Sequence, residues 1–321
     1  MQSNKPKSAV ANATENAPEE EDKTAQKNAG GHKFYWIICA YLGALGVGLL
    51  IIAYTPTQSP LLQAAFADIA ATIVIFAFSS VFRNSSFYDP YWSVAPPLLM
   101  VCWLISYDVF DARLALILLL TTLWAIRLTH NWARGWQGLE HVDWRYVDLR
   151  TKTGLFFPIV DFLGIQMLPT VLVFIGCLPF WLLASQTGSR PNSAAMLIPA
   201  DLFWLIIGFS ALWLEFRADN VLRAFRQNPD NAQQVLDYDV WSWCRHPNYL
   251  GEIGFWLALA IAGYIGSGSL YAWAGFVAMV ILFIGISIPM IDKRQLGNKS
   301  KYAAYHERVP SLIPRMTRAK E

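Results

Sequence analysis

Charge is what this chain has least of. Only 15% of its 321 residues are Asp, Glu, Lys or Arg, where a soluble domain carries about 25%. With 55% hydrophobic residues and a mean hydropathy of +0.33, that shortage excludes a disordered chain and argues against an ordinary cytosolic enzyme. Cysteine is scarce too. Cys39, Cys102, Cys177 and Cys244 stand far apart with no CxxC or CxxxC between them, which excludes a zinc ribbon or a thioredoxin-like motif. They read as small apolar residues in helices. The histidines (His32, His130, His141, His246 and His306) contain no HxxxH pair, which argues against a metal held by protein ligands alone. The chain also lacks a GxGxxG after a strand, a GxxxxGK[ST] and a GxSxG. A nucleotide, if bound, is therefore not bound by a Rossmann domain. The net charge of +2 comes without a basic stripe, so no nucleic-acid partner is expected.

What the chain has is long apolar segments. Residues 1–33 are polar, mixed in charge and short of anything to bury, and read as a disordered tail. They are too long and too acidic for a cleaved signal peptide. From residue 34 to 321 a single transmembrane helical domain is expected. A spanning helix takes about 20 mostly apolar residues. Eight segments qualify as candidates: 34–54, 62–82, 92–107, 111–130, 157–184, 197–216, 249–266 and 270–291. The fold class is thus all-α, a polytopic bundle of about seven or eight spans. The regions between segments, taken alternately from the N-terminal tail, hold 23 of the 25 Lys and Arg. By the positive-inside rule that predicts an even number of spans with both termini cytoplasmic, in an integral membrane protein. The 14 Trp would suit aromatic belts at the two membrane interfaces.

The polar chemistry collects in a few strings. The densest is Arg245-His246-Pro247-Asn248-Tyr249-Leu250-Gly251-Glu252. Pro247 suits the first turn of a helix, and Arg245, Asn248, Tyr249 and Glu252 then share one face. A helix N-terminus beside an Arg favours phosphate or carboxylate. Glu252, about one turn into an apolar segment, is costly there and marks a candidate site. At the end of the sixth segment Glu215, Asp219, Arg223 and Arg226 also share a face, with acids for ribose or amide groups and arginines for phosphates. Tyr88 and Asp89 open the third segment, where an apolar surround would keep a carboxyl group protonated to donate to a carbonyl. A fourth string runs from Trp124 through Arg127 and Arg134 to Trp136. Finally, Tyr302, Tyr305 and Pro314 belong to an amphipathic tail placed to fold back over the cytoplasmic mouth. Each string also has a plainer reading as a helix cap, an i,i+4 bridge or a headgroup anchor. Asp68, Asp161 and Gln166 are intramembrane polar residues outside any motif.

The Arg245-His-Pro-Asn-Tyr-x-Gly-Glu252 string, the Tyr302…Tyr305…Pro314 tail and the Glu215-to-Arg226 face resemble the steroid 5-alpha-reductase-like superfamily, in its branch of uncharacterised bacterial membrane proteins. The resemblance covers about residues 70–316. It implies an all-helical membrane reductase that binds NADPH from the cytoplasmic side and reduces a conjugated carbon–carbon double bond of a steroid-like or other lipid enone. On that pattern Asn248 and Glu252 meet the nicotinamide end, and Asp219, Arg223 and Arg226 meet the ribose and phosphates. Glu215, Arg134, Arg245, His246, Tyr249 and Tyr305 complete the cofactor-binding set. Asp89 would be the acid at the substrate carbonyl, with Tyr88 beside it. Trp124 stands where the family has a catalytic Tyr, and there is an extra N-terminal span. The Arg-His-Pro-x-Tyr string is also similar to isoprenylcysteine carboxyl methyltransferases, which bind S-adenosylmethionine. That enzyme and a lipid-binding or transport protein are the alternative readings.

Overall fold

The computed structural model describes residues 17–57, 59–189 and 197–314, with side chains from Phe34 onward. Among the described residues every regular element is a helix. They are α1 (Ala17–Tyr54), α2 (Pro60–Val81), α3 (Tyr91–Tyr107), α4 (Ala112–Gly135), α5 (Trp144–Thr153), α6 (Phe157–Val160), α7 (Leu168–Gly176), α8 (Leu178–Gly188), α9 (Asp201–Gln227), α10 (Pro247–Ser267), α11 (Ala274–Leu282), α12 (Ile288–Asn298) and α13 (Tyr302–Arg308). Helix α1 begins at Ala17, inside the stretch read as a polar tail. Residues 1–16 of that stretch lie outside the described residues.

The protein is a polytopic helical bundle. Six helical stretches are long and apolar enough to cross a membrane: Phe34–Tyr54, Pro60–Val81, Ala112–Gly135, Trp144–Gly176, Pro247–Ser267 and Leu270–Asn298. The two remaining expected segments fall on α3 and α9. At 17 residues, α3 is about 25 Å long, short of a hydrocarbon core of about 30 Å. α9 has the length, at 27 residues, but its second half carries Glu215, Arg217, Asp219, Arg223 and Arg226.

Two spans are interrupted by π-helical turns, at Asp161–Met167 and Phe283–Ser287. Each interruption is followed at once by a proline near the start of the next helix, Pro169 in α7 and Pro289 in α12. A proline withholds one backbone donor and crowds the preceding turn, which is where helices bulge or kink. Pro179 does the same at the junction between α7 and α8. The segment read as one span over 157–184 is therefore α6, a π turn, α7 and α8 in succession.

The tightest helix pair is α9 with α10, and small residues set its spacing. A Cβ on Gly251 would sit 2.9 Å from the Ala211 carbonyl oxygen, and one on Gly254 would sit 3.1 Å from the Ala211 Cβ. Close approach through small residues is how helices associate in a bilayer, where lipid gives no hydrophobic push. Around this pair lies the core. Trp103, Trp124, Trp204 and Trp256 are fully buried in it, so tryptophan here fills the interior as well as the interfaces expected from composition.

The bundle has two poles. At one, α4 and α9 begin together, joined by Arg113 and Asp201, and Gln186 of α8 donates to the Ser267 carbonyl at the end of α10. The other, here the basic pole, gathers the 82–90, 136–143 and 228–246 connections and the chain after α12. The alternation of charge along the sequence is thus realised as two unlike ends.

Candidate functional site

A cavity of about 170 Å³ opens at the basic pole where α9, α10, α12 and α13 converge, with Arg226, Trp241, Asn248, Tyr249, Lys299 and Tyr305 in its wall. Its geometry starts at the first turn of α10. His246 is the N-cap and Pro247 the first helical residue. The cap side chain makes no capping bond, because its ring is engaged elsewhere: His246 Nε2 lies 3.0 Å from Asp292 Oδ1. Arg245 donates to Asp292 Oδ2 at 2.9 Å and to the His306 and Val309 carbonyls at 2.9 and 2.7 Å. The backbone N–H groups of Arg245 and His246 donate to the carbonyls of Pro310 and Ser311 at 2.8 and 3.1 Å. The Tyr302 hydroxyl completes the knot by donating to Asp292. Arg245, His246 and Asp292 thus fasten the chain after α12 across the start of α10. The tail does fold back over this mouth, and the knot explains why.

Electrostatically the cavity favours anions. Arg226, at the rim, has no salt-bridge partner among the described residues. The Lys299 ammonium donates only to a neutral carbonyl, that of Gln234, and burial and the nearby Arg226 hold its pKa below the usual lysine range. Burial pushes the Tyr302 and Tyr305 hydroxyls well above the usual phenol range, with Asp292 adding to the shift at Tyr302. Both phenols therefore remain neutral donors at physiological pH. The first N–H groups of α10 add the positive end of a helix.

One turn deeper on α10, Glu252 belongs to a second cluster. Trp124 Nε1 and Trp256 Nε1 each donate to Glu252 Oε1 at 3.1 Å, and Trp124 stacks on Phe255 with ring centroids 4.7 Å apart. Beside them Arg127 of α4 is in ion-pair contact with Glu215, Asp219 and Glu252. Asn131 also donates to Asp219, Arg134 donates to Asn131, and Arg223 donates to the Arg134 carbonyl at 3.4 Å. One guanidinium faces three carboxylates. Arg127 Nε has no hydrogen-bond partner, and one cation set against three carboxylates leaves the cluster unbalanced in charge.

Tyr88 and Asp89 form a third place. Asn84 caps the preceding turn by accepting from Ser86 N–H, and its amide donates to the Leu139 and His141 carbonyls at 2.8 and 3.0 Å. Pro90, not Asp89, caps α3, so the Asp89 carboxyl is not spent on the helix. It accepts from the Tyr146 hydroxyl. Burial raises its pKa to about 6, against the pull of Arg145 and of the Tyr146 bond. Tyr88 meets Thr170 at 2.7 Å and Thr170 meets Thr72 at 3.0 Å, while Tyr91 donates to Asp68 at 2.7 Å. Gln166 donates to Asp161 at 3.2 Å.

Of the residues singled out from sequence, Arg226, Arg245, His246, Asn248, Tyr249 and Tyr305 meet in the cavity wall. Glu215, Asp219, Glu252, Trp124, Arg134 and Arg223 meet around Arg127 instead. Tyr88 and Asp89 join neither group. Sequence reasoning missed Lys299 and Trp241, which carry no motif. It also passed over Arg127 and Asn131 as site residues, although Trp124, Arg127, Asn131 and Arg134 share one face of α4 by spacing alone.

A family model described as "Protein of unknown function (DUF1295)" matches residues 75–309. The chain belongs to this family. DUF1295 is steroid 5-alpha-reductase-like, which agrees with the superfamily suggested by the Arg245–Glu252 string. The DUF1295 segment takes in the whole cavity wall, the Arg127 cluster and Asp89, and leaves out α1 and Asp68. Among curated relatives, an uncharacterised protein of Schizosaccharomyces pombe, C594.04c, is 25% identical over 263 residues, which is 76% of each chain. No solved structure matches the chain significantly.

Proposed function

We propose that this DUF1295 protein is a membrane-embedded NADPH-dependent reductase of a conjugated carbon–carbon double bond in a steroid-like or other lipid enone. The observation that carries the reading is the cavity at the basic pole. Its wall holds two cations without carboxylate partners, a helix N-terminus, an amide at Asn248 and aromatic rings for stacking. This donor set fits a phosphorylated dinucleotide. It does not suit the sulfonium cation of S-adenosylmethionine, which would bring positive charge toward Arg226 and Lys299.

In this reading Arg226, Lys299 and the start of α10 hold phosphates, Asn248 reaches the amide-bearing end, and Tyr249, Trp241 and Tyr305 flank the rings. NADPH, when bound, supplies the hydride for the β carbon of the enone. The residues of the chain do the rest. Asp89, whose pKa of about 6 keeps part of it protonated near neutrality, donates to the substrate carbonyl and stabilises the charge that develops there. Tyr146 holds that carboxyl in place. Trp124, Phe255 and Trp256 close an apolar wall around Glu252 and keep water away. The charge asymmetry between the poles supports a mouth and termini on the cytoplasmic side, and we assign the protein to a bacterial inner membrane.

The test is thermal unfolding in detergent with saturating NADPH and, separately, with S-adenosylmethionine. A ligand at 100 times its Kd adds about 2.7 kcal/mol of stability. A shift with NADPH alone supports the reductase. A shift with S-adenosylmethionine alone moves the protein to the methyltransferase reading. No shift with either leaves a lipid-binding or transport protein.

A further inference from the structure

Outside the cavity, several exposed cations of the chain are already paired. Arg145 pairs with Asp143, Lys152 with Asp148 and Arg217 with Asp239. Arg83 and Arg150 are exposed too, but among the described residues neither has a carboxylate partner. They nonetheless stand together. Arg150 Nη2 donates to the Arg83 carbonyl at 3.2 Å, and the Arg150 guanidinium lies 4.6 Å from the centroid of the Phe157 ring. Asp161 senses the Arg150 charge but makes no ion pair with it and accepts from Gln166 instead. Arg83 itself has a φ of 53°, a backbone conformation that favours glycine.

The surroundings of this pair are apolar and uncovered. Arg83 follows the end of a membrane-length helix at Val81, whose side chain is 77% exposed. Arg150 precedes the Gly154–Phe156 turn, and beyond it Leu155, Phe156 and Ile159 are 97%, 71% and 58% exposed. At the end of a span, side chains that the protein leaves bare meet acyl chains. Two guanidinium groups beside bare apolar residues match the two halves of a phospholipid. The planar guanidinium fork suits phosphate oxygens, and basic residues next to a span attract anionic headgroups. A soluble phosphate would use the arginines and leave the apolar residues uncovered.

We infer that Arg83 and Arg150 form a headgroup site for an anionic phospholipid on the outer surface of the bundle, with its acyl chains along Val81, Leu155, Phe156 and Ile159. The inference stands independently of the reductase reading. The site reaches inward through α5, which carries both Arg150, bonded to Arg83, and Tyr146, bonded to Asp89. A lipid that joins the two arginines therefore braces α5 against the connection that holds Asp89.

Its test titrates phosphatidylglycerol and, separately, phosphatidylcholine into the full chain in neutral detergent micelles, and reads the thermal unfolding midpoint. Phosphatidylglycerol should raise the wild-type midpoint, as a ligand of the folded state does, and phosphatidylcholine should leave it nearly unchanged. The double variant Arg83→Gln with Arg150→Gln should weaken the response to phosphatidylglycerol by more than about tenfold in lipid concentration, from about fivefold per basic residue at an anionic surface. Arg150→Gln alone, expected at about fivefold, carries the test if the double variant does not fold. Lys152→Gln removes an exposed cation of the same helix that Asp148 already neutralises, and should cost less than about twofold. Equal wild-type shifts with the two lipids overturn the site. So does an undiminished response to phosphatidylglycerol in the arginine variants, or a loss in Lys152→Gln as large as theirs, which would reduce the effect to overall charge. A shift with inorganic phosphate as large as that with phosphatidylglycerol overturns it as well, because the apolar residues would then take no part.

Discussion

Two arginines of α4, buried Arg113 toward one pole and half-buried Arg127 toward the other, show how the same residue type can serve different ends. Arg113, at the pole away from the cavity, donates to Asp201 through Nε and Nη2, both at 2.8 Å. Asp201 also accepts from Trp204 Nε1 at 2.8 Å and Ile198 N–H at 2.9 Å. Its charge is balanced and each carboxylate oxygen is used, so nothing is left over for a ligand. Arg127 faces three carboxylates, one cation for three acids, with its Nε lacking a hydrogen bond. A satisfied pair is a clamp. A cluster unbalanced in charge beside a cavity is a candidate site.

The largest expected effect is at the clamp. Arg113→Met leaves Asp201 buried without its cation and should destabilise the bundle by about 3–5 kcal/mol, measured by denaturant unfolding in detergent, with dinucleotide affinity unchanged in the folded fraction. A loss of affinity without a loss of stability would erase the distinction between the two arginines.

Next in size is the response of the basic pole to pH, through Asp89. Its folded pKa of about 6 lies above the ordinary value of about 3.9, so the folded protein holds the proton more tightly than the unfolded chain does. Stability is then highest below about pH 4 and falls as pH rises to about 6, by on the order of 2–3 kcal/mol, and is flat above. Asp89→Asn should remove this slope. If the slope survives the substitution, another group titrates and Asp89 is an ordinary loop carboxylate.

The architecture was largely legible in the sequence, because apolar segment length and the sidedness of Lys and Arg are local quantities. All eight segments fall on helical stretches, but 157–184 is broken into several helices and, among the described residues, only six stretches are long and apolar enough to cross a membrane; α10 starts at Pro247 as the proline requires. The partners were less legible. Glu215, Asp219 and Glu252 read as cofactor ligands when placed on their own helix faces, yet they converge on Arg127, a residue 88 or more positions away along the chain. Lys299 lacked any motif, and its place in the cavity follows from the Asp292 knot, a tertiary contact no spacing rule contains. The π turns before Pro169 and Pro289 depend on how neighbouring helices re-satisfy the freed backbone groups, which one sequence does not display.

Between the poles, the seam of α9 and α10 joins the cavity to the cluster, and Gly251→Ala tests it. The new methyl would meet the Ala211 carbonyl at 2.9 Å, and backbone cannot rotate away as a side chain can. The helices must part, at a cost of about 1–3 kcal/mol, and Glu252 must move with α10. Unfolding experiments should show that loss, together with weaker dinucleotide binding, whereas Gly46→Ala, with nothing within 4 Å of the new atom, should leave both unchanged.

The smallest expected effect is the most discriminating. Glu215→Gln keeps the shape of the side chain and leaves two carboxylates for one guanidinium. If the Arg127 cluster is unbalanced as drawn, stability changes by no more than about 0.5–1 kcal/mol in either direction, because the lost attraction is offset by the removed repulsion from Glu252 and Asp219. If the cluster is a clamp like Arg113 with Asp201, the same change costs about 3 kcal/mol or more. Equilibrium unfolding of this one variant beside Asp201→Asn separates the cases, since Asp201→Asn is expected to show the full penalty and serves as the scale for reading the other.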